Sequence, residues 1–137
     1  MSRPDSAVRL IRSAALTDTA PYAYAATTAA GAQLVFTAGA CPLDAAGATV
    51  APGDIAAQAR RCVANLATAL EAAGATLEDV AYTRVLVATT VREDLVQAWT
   101  VVHDALGQHE VPSTLLGVTV LGYPDQLVEI EAVAALR

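Results

Sequence analysis

The chain has 137 residues, of which 55% are apolar and 16% are charged. Its 8 basic residues, all arginines, are outnumbered by 14 acidic residues, which gives a net charge of −6. The absence of lysine excludes Schiff-base and P-loop lysine chemistry. The excess of acidic residues does not suit binding to the phosphates of a nucleic acid. A chain of this length suits one domain, spanning residues 1–137.

Features of membrane, secreted and metal-binding proteins are missing from the sequence. No apolar run approaches the ~20 residues that a membrane-spanning helix needs, and the segment Met1–Leu10 has no apolar region typical of a signal peptide. Cys41, Cys62, His103 and His109 do not have the spacing of a zinc site. We therefore expect a cytoplasmic protein without a metal or cofactor, and with no nucleic-acid or membrane partner.

The first third of the chain predicts short strands followed by a loop. Val8–Ser13 is typical of an edge strand, and Tyr22–Ala30 is a candidate second strand of a hairpin. Gln33–Ala38 is a compact β-branched and aromatic run bounded by glycines, which indicates a buried strand. Pro42–Gly53 is rich in Asp, Gly and Pro, so it is predicted to be a loop.

Asp54–Ala73 is the clearest predicted helix. Apolar residues recur along one of its faces at helical spacing, and they are Ile55, Ala59, Cys62, Val63, Leu66, Leu70 and Ala73. Asp54 can cap the first turn, and Gly74 can end the helix. The opposite face, which includes Gln58 and Asn65, is predicted to be polar.

The second half of the chain predicts a strand, a helix and two further strands. Val80–Thr90 has the period-two alternation of a strand. Thr90 and Glu93 fit a capping box at the start of a helix whose apolar residues are Leu95, Ala98, Trp99, Val102 and Leu106. Leu115–Leu121 and Leu127–Ala135 follow as predicted strands.

This order of elements predicts an α+β fold. Two helices of similar length would cover one face of a mixed sheet of five or six strands. Strand residues of both parities are apolar, for example Leu86 and Ala88 as well as Val85 and Val87. The second face of the sheet therefore needs a cover, and we expect other subunits to supply it.

Several segments, in order and spacing, resemble the Rid family, also called the YjgF/YER057c/UK114 group. They are Ala20-Pro21-Tyr22, Val35-Phe36-Thr37-Ala38-Gly39, the helix 54–74 with Gln58, Asn65 and Leu66, Pro112, and Val128-Glu129-Ile130-Glu131-Ala132. The resemblance covers essentially the whole chain. It implies a chorismate-mutase-like sandwich that assembles as a homotrimer, with the sheets forming a central barrel and the sites in clefts between subunits. Deaminase members of the family hydrolyse reactive enamines and imines to 2-keto acids and ammonia without a cofactor.

The resemblance also implies which site residues are retained and which are lost. Glu129 would position water or act as a general base, and Tyr22 would orient the ligand. The family's carboxylate-binding arginine, two residues after Pro112, is replaced by Thr114, which offers one uncharged hydroxyl instead of a bidentate fork. Other polar positions of the family also differ here, and they hold Ala38, Ala40, Trp99 and Leu116. Standard 2-imino acids are therefore not the expected substrates.

Other interpretations of these residues remain open at the level of sequence. Glu129 lies in an alternating run, so it also fits a solvated strand face. Tyr22 and Thr114 are candidate ligand contacts but also suit core or strand packing, and Trp99 is most simply a core residue of the helix, with ligand stacking as the alternative. Tyr24, beside Tyr22, is a further candidate for the wall of the cleft.

Two arginines and one cysteine complete the set of candidates. Arg84 or Arg92 could reach a cleft in place of the missing arginine. Cys41 is expected to be an inert packing residue, because neither histidine is positioned by sequence to act as its base.

The leading hypothesis is a cofactor-free, Rid-like trimeric enzyme that acts on a small imine, enamine or related carbonyl-derived metabolite. The alternative is a non-catalytic trimer that binds a small hydrophobic ligand or a protein partner through the same clefts.

Overall fold

The structure is a computed structural model that describes residues 5–137. In chain order its elements are β1 (Val8–Ile11), β2 (Ala25–Thr28), β3 (Gln33–Phe36), α1 (Ile55–Ala72), β4 (Val80–Ala88), α2 (Arg92–Leu106), β5 (Ser113–Val118) and β6 (Val128–Leu136). A short 3₁₀ turn, Leu77–Asp79, leads into β4. This order confirms the predicted α+β fold. No helix in the described part of the chain is long and apolar enough to cross a membrane.

Four of the strands form a mixed sheet in the order β3-β6-β4-β5. Strand β6 is antiparallel to β3 and β4, whereas β5 is parallel to β4 and is reached through α2. Strands β1 and β2 form a separate antiparallel hairpin, so the prediction of one sheet with five or six strands was wrong. The hairpin packs across the sheet through small apolar contacts that include Ala7, Val8, Ala81 and Ala135. Residue alternation identifies a strand but does not identify the strand with which it pairs.

The main core lies between the helices and one face of the sheet. Val85 and Val87 of β4 and Val128 and Ile130 of β6 are fully buried. They pack with the predicted apolar stripe of α1, of which the fully or almost fully buried members are Ile55, Ala59, Cys62, Leu66 and Leu70. Asp54 caps this helix, since its side chain accepts a hydrogen bond from the Ala57 amide (3.0 Å). The predicted cap of α1 is therefore confirmed, as is its stripe except at Val63, which is half-buried, and Ala73, which follows the end of the helix and is exposed.

Two polar side chains of α1 hold loops in place. Gln58 is fully buried: its Oε1 accepts from the Leu127 amide (2.7 Å) and its Nε2 donates to the Asp125 carbonyl (3.0 Å). Asn65 Nδ2 donates to the Cys41 carbonyl (2.8 Å). The prediction that Gln58 belongs to a polar outer face was wrong. It assumed that a polar side chain is exposed, whereas an amide can be buried when its hydrogen bonds are made. These contacts fix to α1 the segment before β6 and the segment after β3.

Helix α2 begins without the predicted capping box. Its N-cap residue is Val91, which makes no side-chain cap. The Thr89 Oγ1 accepts from the Val91 amide (2.9 Å) and donates to Asp94 Oδ2 (2.7 Å). The prediction from Thr90 and Glu93 was wrong because the N-cap residue is Val91, one position later than the capping box requires.

The sheet face opposite the helices, called the open face below, carries apolar side chains. Leu34 and Phe36 of β3 are 45% and 72% exposed, and Leu116 of β5 is 42% exposed. Leu86 of β4 is the direct neighbour of Leu116 and lies on the same face. As expected from the sequence, residues of both strand parities are apolar. Within the chain the open face is covered only in part, where the β1–β2 hairpin packs on Ala135, the cross-strand partner of Leu34.

Candidate functional site

A cleft of about 400 Å³ lies along the free edge of β5 and is called the β5 cleft below. Its lining residues are Tyr22, Trp99, Ser113, Thr114 and Leu115. The rings of Tyr22 and Trp99 meet edge to face, with their centroids 6.4 Å apart. This contact is a favourable aromatic geometry and gives the cleft an apolar wall with a phenolic hydroxyl. A larger groove of about 550 Å³ between the ends of the helices contains none of the candidate residues.

A hydrogen-bond network around Glu110 supports the aromatic wall. The His103 ring lies 5.8 Å from that of Trp99, and its Nε2 is 2.8 Å from Glu110 Oε2. Arg12 Nη2 donates to Glu110 Oε1 (3.1 Å), which ties the segment leading to Tyr22 to the connection between α2 and β5. These side chains are about one-third exposed, so their contacts add little to the stability of the fold. Their main role is to hold the two segments in position. Nothing in the sequence marks Glu110 as their common partner.

Thr114 lies beside a tyrosine and an arginine on the open face. Tyr82 Oη donates to Thr114 Oγ1 (2.8 Å). Arg84 of β4 is the direct cross-strand neighbour of Thr114, and its Nε is 2.9 Å from Glu131 Oε1 of β6. Arg92 is the exposed first residue of α2. Of the two arginines considered from the sequence, Arg84 is thus the neighbour of Thr114.

Glu129 also belongs to the open face, where it is the neighbour of Leu86. Its Oε1 accepts hydrogen bonds from Gln126 Nε2 (3.1 Å) and Cys41 Sγ (3.4 Å). Its carboxyl group packs directly on Gly39, so that a methyl group added there would overlap the carboxylate. Within residues 5–137, no arginine pairs with Glu129 and no donor is bonded to its Oε2. One oxygen is therefore fixed while the other can accept a proton or a water hydrogen.

The two cysteines near this carboxylate are held as neutral thiols. Burial raises the pKa of the Cys41 thiol, and Glu129 raises it further as hydrogen-bond acceptor and as a negative charge, while Gln126 acts in the opposite direction. Burial also raises the pKa of Cys62, more strongly. Neither thiol has the low pKa of a nucleophile, in agreement with the expectation for Cys41.

The structure brings together only part of the predicted site. Of the residues singled out from the sequence, those lining the β5 cleft are Tyr22, Trp99 and Thr114. Tyr24 supports the wall, since its ring packs on Tyr22 at 6.0 Å and its hydroxyl donates to the Thr17 carbonyl. Glu129, Ala38 and Leu116 do not line the cleft within one chain.

Sequence reasoning did not find two hydrogen-bond partners at these sites, Gln126 and Tyr82. Each is identified only by the contact it makes, with Glu129 and Thr114 respectively. The described residues include no cluster of three or more His, Cys, Asp or Glu side chains that could hold a metal ion.

Comparisons with known proteins agree with this fold. The family model described as Endoribonuclease L-PSP matches residues 13–136. A Yersinia pestis structure described as a protein of unknown function of the conserved Rid family, YyfB, is 27% identical with a TM-score of 0.84, covering 95% of this chain and 99% of its own. No curated protein sequence matches the chain.

Two further solved structures are similar over almost their whole length. A YjgF/YER057c/UK114 family member from Mycobacterium tuberculosis is 30% identical with a TM-score of 0.64, and the match covers 94% of this chain and 99% of that one. The Escherichia coli YjgF gene product is 26% identical with a TM-score of 0.66, again over 94% and 99% of the two chains. The fold is that of an α+β protein of the YjgF type. The chain belongs to the Rid (YjgF/YER057c/UK114) family.

Proposed function

We propose that the chain is a cofactor-free enzyme that hydrolyses a small imine, enamine or related carbonyl-derived metabolite in clefts between the subunits of a homotrimer. The observation that carries this proposal is the Glu129 carboxylate. Gln126 fixes its Oε1, Gly39 supports its outer surface, and its Oε2 has no bonded donor among the described residues. A carboxylate in this state can remove a proton from an attacking water molecule.

Glu129 can serve each proton transfer of imine hydrolysis in turn. Water adds to the carbon of the protonated C=N bond while Glu129 takes one of its protons, which gives a neutral carbinolamine. The protonated Glu129 then returns the proton to the nitrogen. The C–N bond breaks as Glu129 takes the proton of the carbinolamine hydroxyl, which gives ammonia and a carbonyl product, and Glu129 passes this last proton to ammonia. An enamine enters the same sequence after protonation at carbon.

A second copy of the chain would complete the site. Glu129 and the β5 cleft are separate within one chain, and the open face that carries Glu129 also carries exposed apolar side chains such as Phe36 and Leu116. In the proposed trimer, contacts between open faces bury these side chains and bring Glu129 of one subunit to the aromatic wall of the next. The family resemblance supports this arrangement, because it implies clefts between subunits.

The lining of the cleft bears on the choice of substrate. Tyr22 and Trp99 offer an aromatic surface, and Thr114 contributes one hydroxyl that already accepts a hydrogen bond from Tyr82. An apolar cleft with few polar groups favours a ligand with an apolar body. We therefore expect slow turnover of 2-iminobutyrate, which is small and charged.

The same apolar lining also favours a second candidate function, a non-catalytic trimer that binds a small hydrophobic ligand. RNA cleavage, the activity in the name of the matching family model, has less support. The chain carries 14 acidic residues against 8 arginines, and RNA binding depends strongly on neutralising phosphates.

The proposal is tested by generating imines in place with a flavin oxidase in the presence of semicarbazide. Hydrolysis competes with semicarbazide for the imine, so an active protein lowers semicarbazone formation and releases ammonia. The panel contains 2-iminobutyrate, the 2-imino acids from leucine and phenylalanine, and the uncharged aldimine from 3-methylbutylamine. Because Thr114 replaces the carboxylate-binding arginine of the family, we expect acceleration of the uncharged aldimine and little effect on 2-iminobutyrate.

The matched variants are Glu129→Gln and Glu93→Gln, the second on the exposed side of α2. Glu129→Gln should abolish the effect, whereas Glu93→Gln should leave it unchanged. Full activity in Glu129→Gln would contradict the proposed chemistry. The non-catalytic alternative would be favoured if the protein bound the 2-oxo acid or aldehyde products of these imines but turned over none of the imines.

A further inference from the structure

A tyrosine of the neighbouring strand holds the hydroxyl of Thr114 in the β5 cleft. Tyr82 lies on β4 two residues before Arg84, which is the direct cross-strand neighbour of Thr114. Because side chains alternate between the two faces of a strand, Tyr82 and Thr114 project from the same face of the sheet. Tyr82 Oη donates to Thr114 Oγ1 at 2.8 Å. This hydrogen bond determines what Thr114 can offer to a ligand.

Thr114 keeps a hydrogen that it can donate. A threonine hydroxyl has one hydrogen and two lone pairs, and Tyr82 occupies one of the lone pairs. Among residues 5–137, no acceptor is bonded to Thr114 Oγ1. A hydroxyl that accepts a hydrogen bond is also a stronger donor, because hydrogen bonds in a chain polarise one another. Toward the cleft, Thr114 is therefore a hydrogen-bond donor.

The other hydroxyl that β5 contributes to the cleft is already engaged inside the chain. Ser113 Oγ is 2.6 Å from Thr83 Oγ1 and 3.2 Å from the Val111 carbonyl. Thr83 is itself buried, so this pair belongs to the helix side of the sheet. Of the two strand hydroxyls that line the cleft, only that of Thr114 remains able to bind a ligand.

The lining of the cleft favours an uncharged ligand oxygen. No lining residue carries a charge, and Arg84 lies outside the lining with its Nε paired to Glu131. A carboxylate in this cleft would lose its water without gaining a cation, which is costly. A carbonyl oxygen loses less hydration and gains the hydrogen bond from Thr114.

We infer that Thr114 is the specificity-determining residue of the β5 cleft, with Tyr82 as the residue that positions it, and that it selects an uncharged acceptor oxygen on an apolar body. A ketone, ester or amide carbonyl has this chemistry. The inference rests on the proposed function for the reaction and narrows its substrate class. Among uncharged imines and enamines, those that carry such an oxygen are the better substrates.

The test measures binding of three probes with the same phenyl body to the full-length protein. Acetophenone carries a neutral carbonyl, toluene has no acceptor oxygen, and benzoate carries a carboxylate. Trp99 is the single tryptophan of the chain and lines the cleft, so its indole N–H signal in nuclear magnetic resonance spectra reports binding at this site. In the wild type we expect acetophenone to shift this signal and to bind more tightly than benzoate.

Variants at Thr114 and Tyr82 separate the hydrogen bond from the apolar contacts. Thr114→Val should weaken acetophenone binding about fivefold, the usual net effect of one uncharged hydrogen bond, without changing the dissociation constant of toluene. Thr114→Ser keeps the hydroxyl and should retain most of the affinity. Tyr82→Phe removes the positioning hydrogen bond, so it should also weaken binding of acetophenone and leave that of toluene unchanged.

Tyr123→Phe is the matched control, since it removes the same hydroxyl from an exposed tyrosine outside the cleft. It should bind all three probes as the wild type does. The inference is overturned if benzoate binds more tightly than acetophenone, or if Thr114→Val folds and keeps the acetophenone affinity. Wild-type affinity in Tyr82→Phe would overturn the positioning role of Tyr82. The assay contains no imine, so failure of the proposed hydrolysis would not alter its result.

Discussion

At Gly39, the backbone and the Glu129 carboxylate are so close that no side chain fits between them. We predict that Gly39→Ala displaces the carboxylate from Gln126 and costs about 1–3 kcal/mol of unfolding free energy, as overpacking typically does. Urea denaturation measures this loss. Gly122→Ala is the control, because a Cβ at that position meets no other atom within 4 Å. Equal stability of the two variants would show that the carboxylate does not pack on Gly39.

The thiol of Cys41 reports on the same carboxylate. Its pKa is raised from the ordinary 9.0, first by burial and then by Glu129, so the reactive thiolate forms only at alkaline pH. We predict slow alkylation by iodoacetamide at neutral pH and a rate that rises with pH. Glu129→Gln removes the charge, lowers the pKa of Cys41 and shifts the rate profile to lower pH.

The Cys41→Ser variant retains Cys62, so its alkylation measures the contribution of that residue. This contribution should be negligible because Cys62 is fully buried. An unchanged profile in Glu129→Gln would contradict the contact between the thiol and the carboxylate.

Single residues of the candidate site were predictable from the sequence only where the family resemblance named them. Tyr22 and Trp99 do meet at one cleft. The hydrogen bonds of Gln126 and Gln58 were not predictable, since their partners lie in other elements and leave no periodic signal.

At the scale of elements, the start of α2 gives a direct comparison between two adjacent threonines. Thr89 accepts from the Val91 amide and donates to Asp94, whereas Thr90 makes no cap. We predict that Thr89→Ala lowers the unfolding free energy by about 1 kcal/mol, the usual net value of a hydrogen bond, and that Thr90→Ala has a much smaller effect. Thermal or urea unfolding of both variants measures the difference. A larger loss in Thr90→Ala would restore the capping box predicted from the sequence.

Helices were more predictable than strand pairings, for a physical reason. The predicted Asp54–Ala73 and the observed Ile55–Ala72 differ by one residue at each end, because a helix is defined by local hydrogen bonds and its own caps. The hairpin of β1 and β2 depends on contacts distant in sequence, including Ala135. Residue patterns could not show that it forms a sheet of its own.

At the scale of the whole molecule, the open face determines the expected assembly. Phe36, on the outer strand β3 of this face, is 72% exposed in the single chain, and Val96 on α2 is 56% exposed. We predict that Phe36→Asp breaks the assembly, because it inserts a charge into an apolar interface, while Val96→Asp leaves it intact. Size-exclusion chromatography at equal concentrations separates the two outcomes. Dissociation by both variants would argue against the open face as the specific interface.

The mass of the unmodified protein in solution tests most directly whether the site is completed between copies of the chain. Obligate interfaces commonly bury more than about 2,000 Å², enough to persist on dilution. Multi-angle light scattering should give three times the chain mass of 14.0 kDa, at micromolar concentration as well as above it. A stable species with the mass of one chain would contradict both the trimer and a site that joins Glu129 of one subunit to the aromatic wall of another.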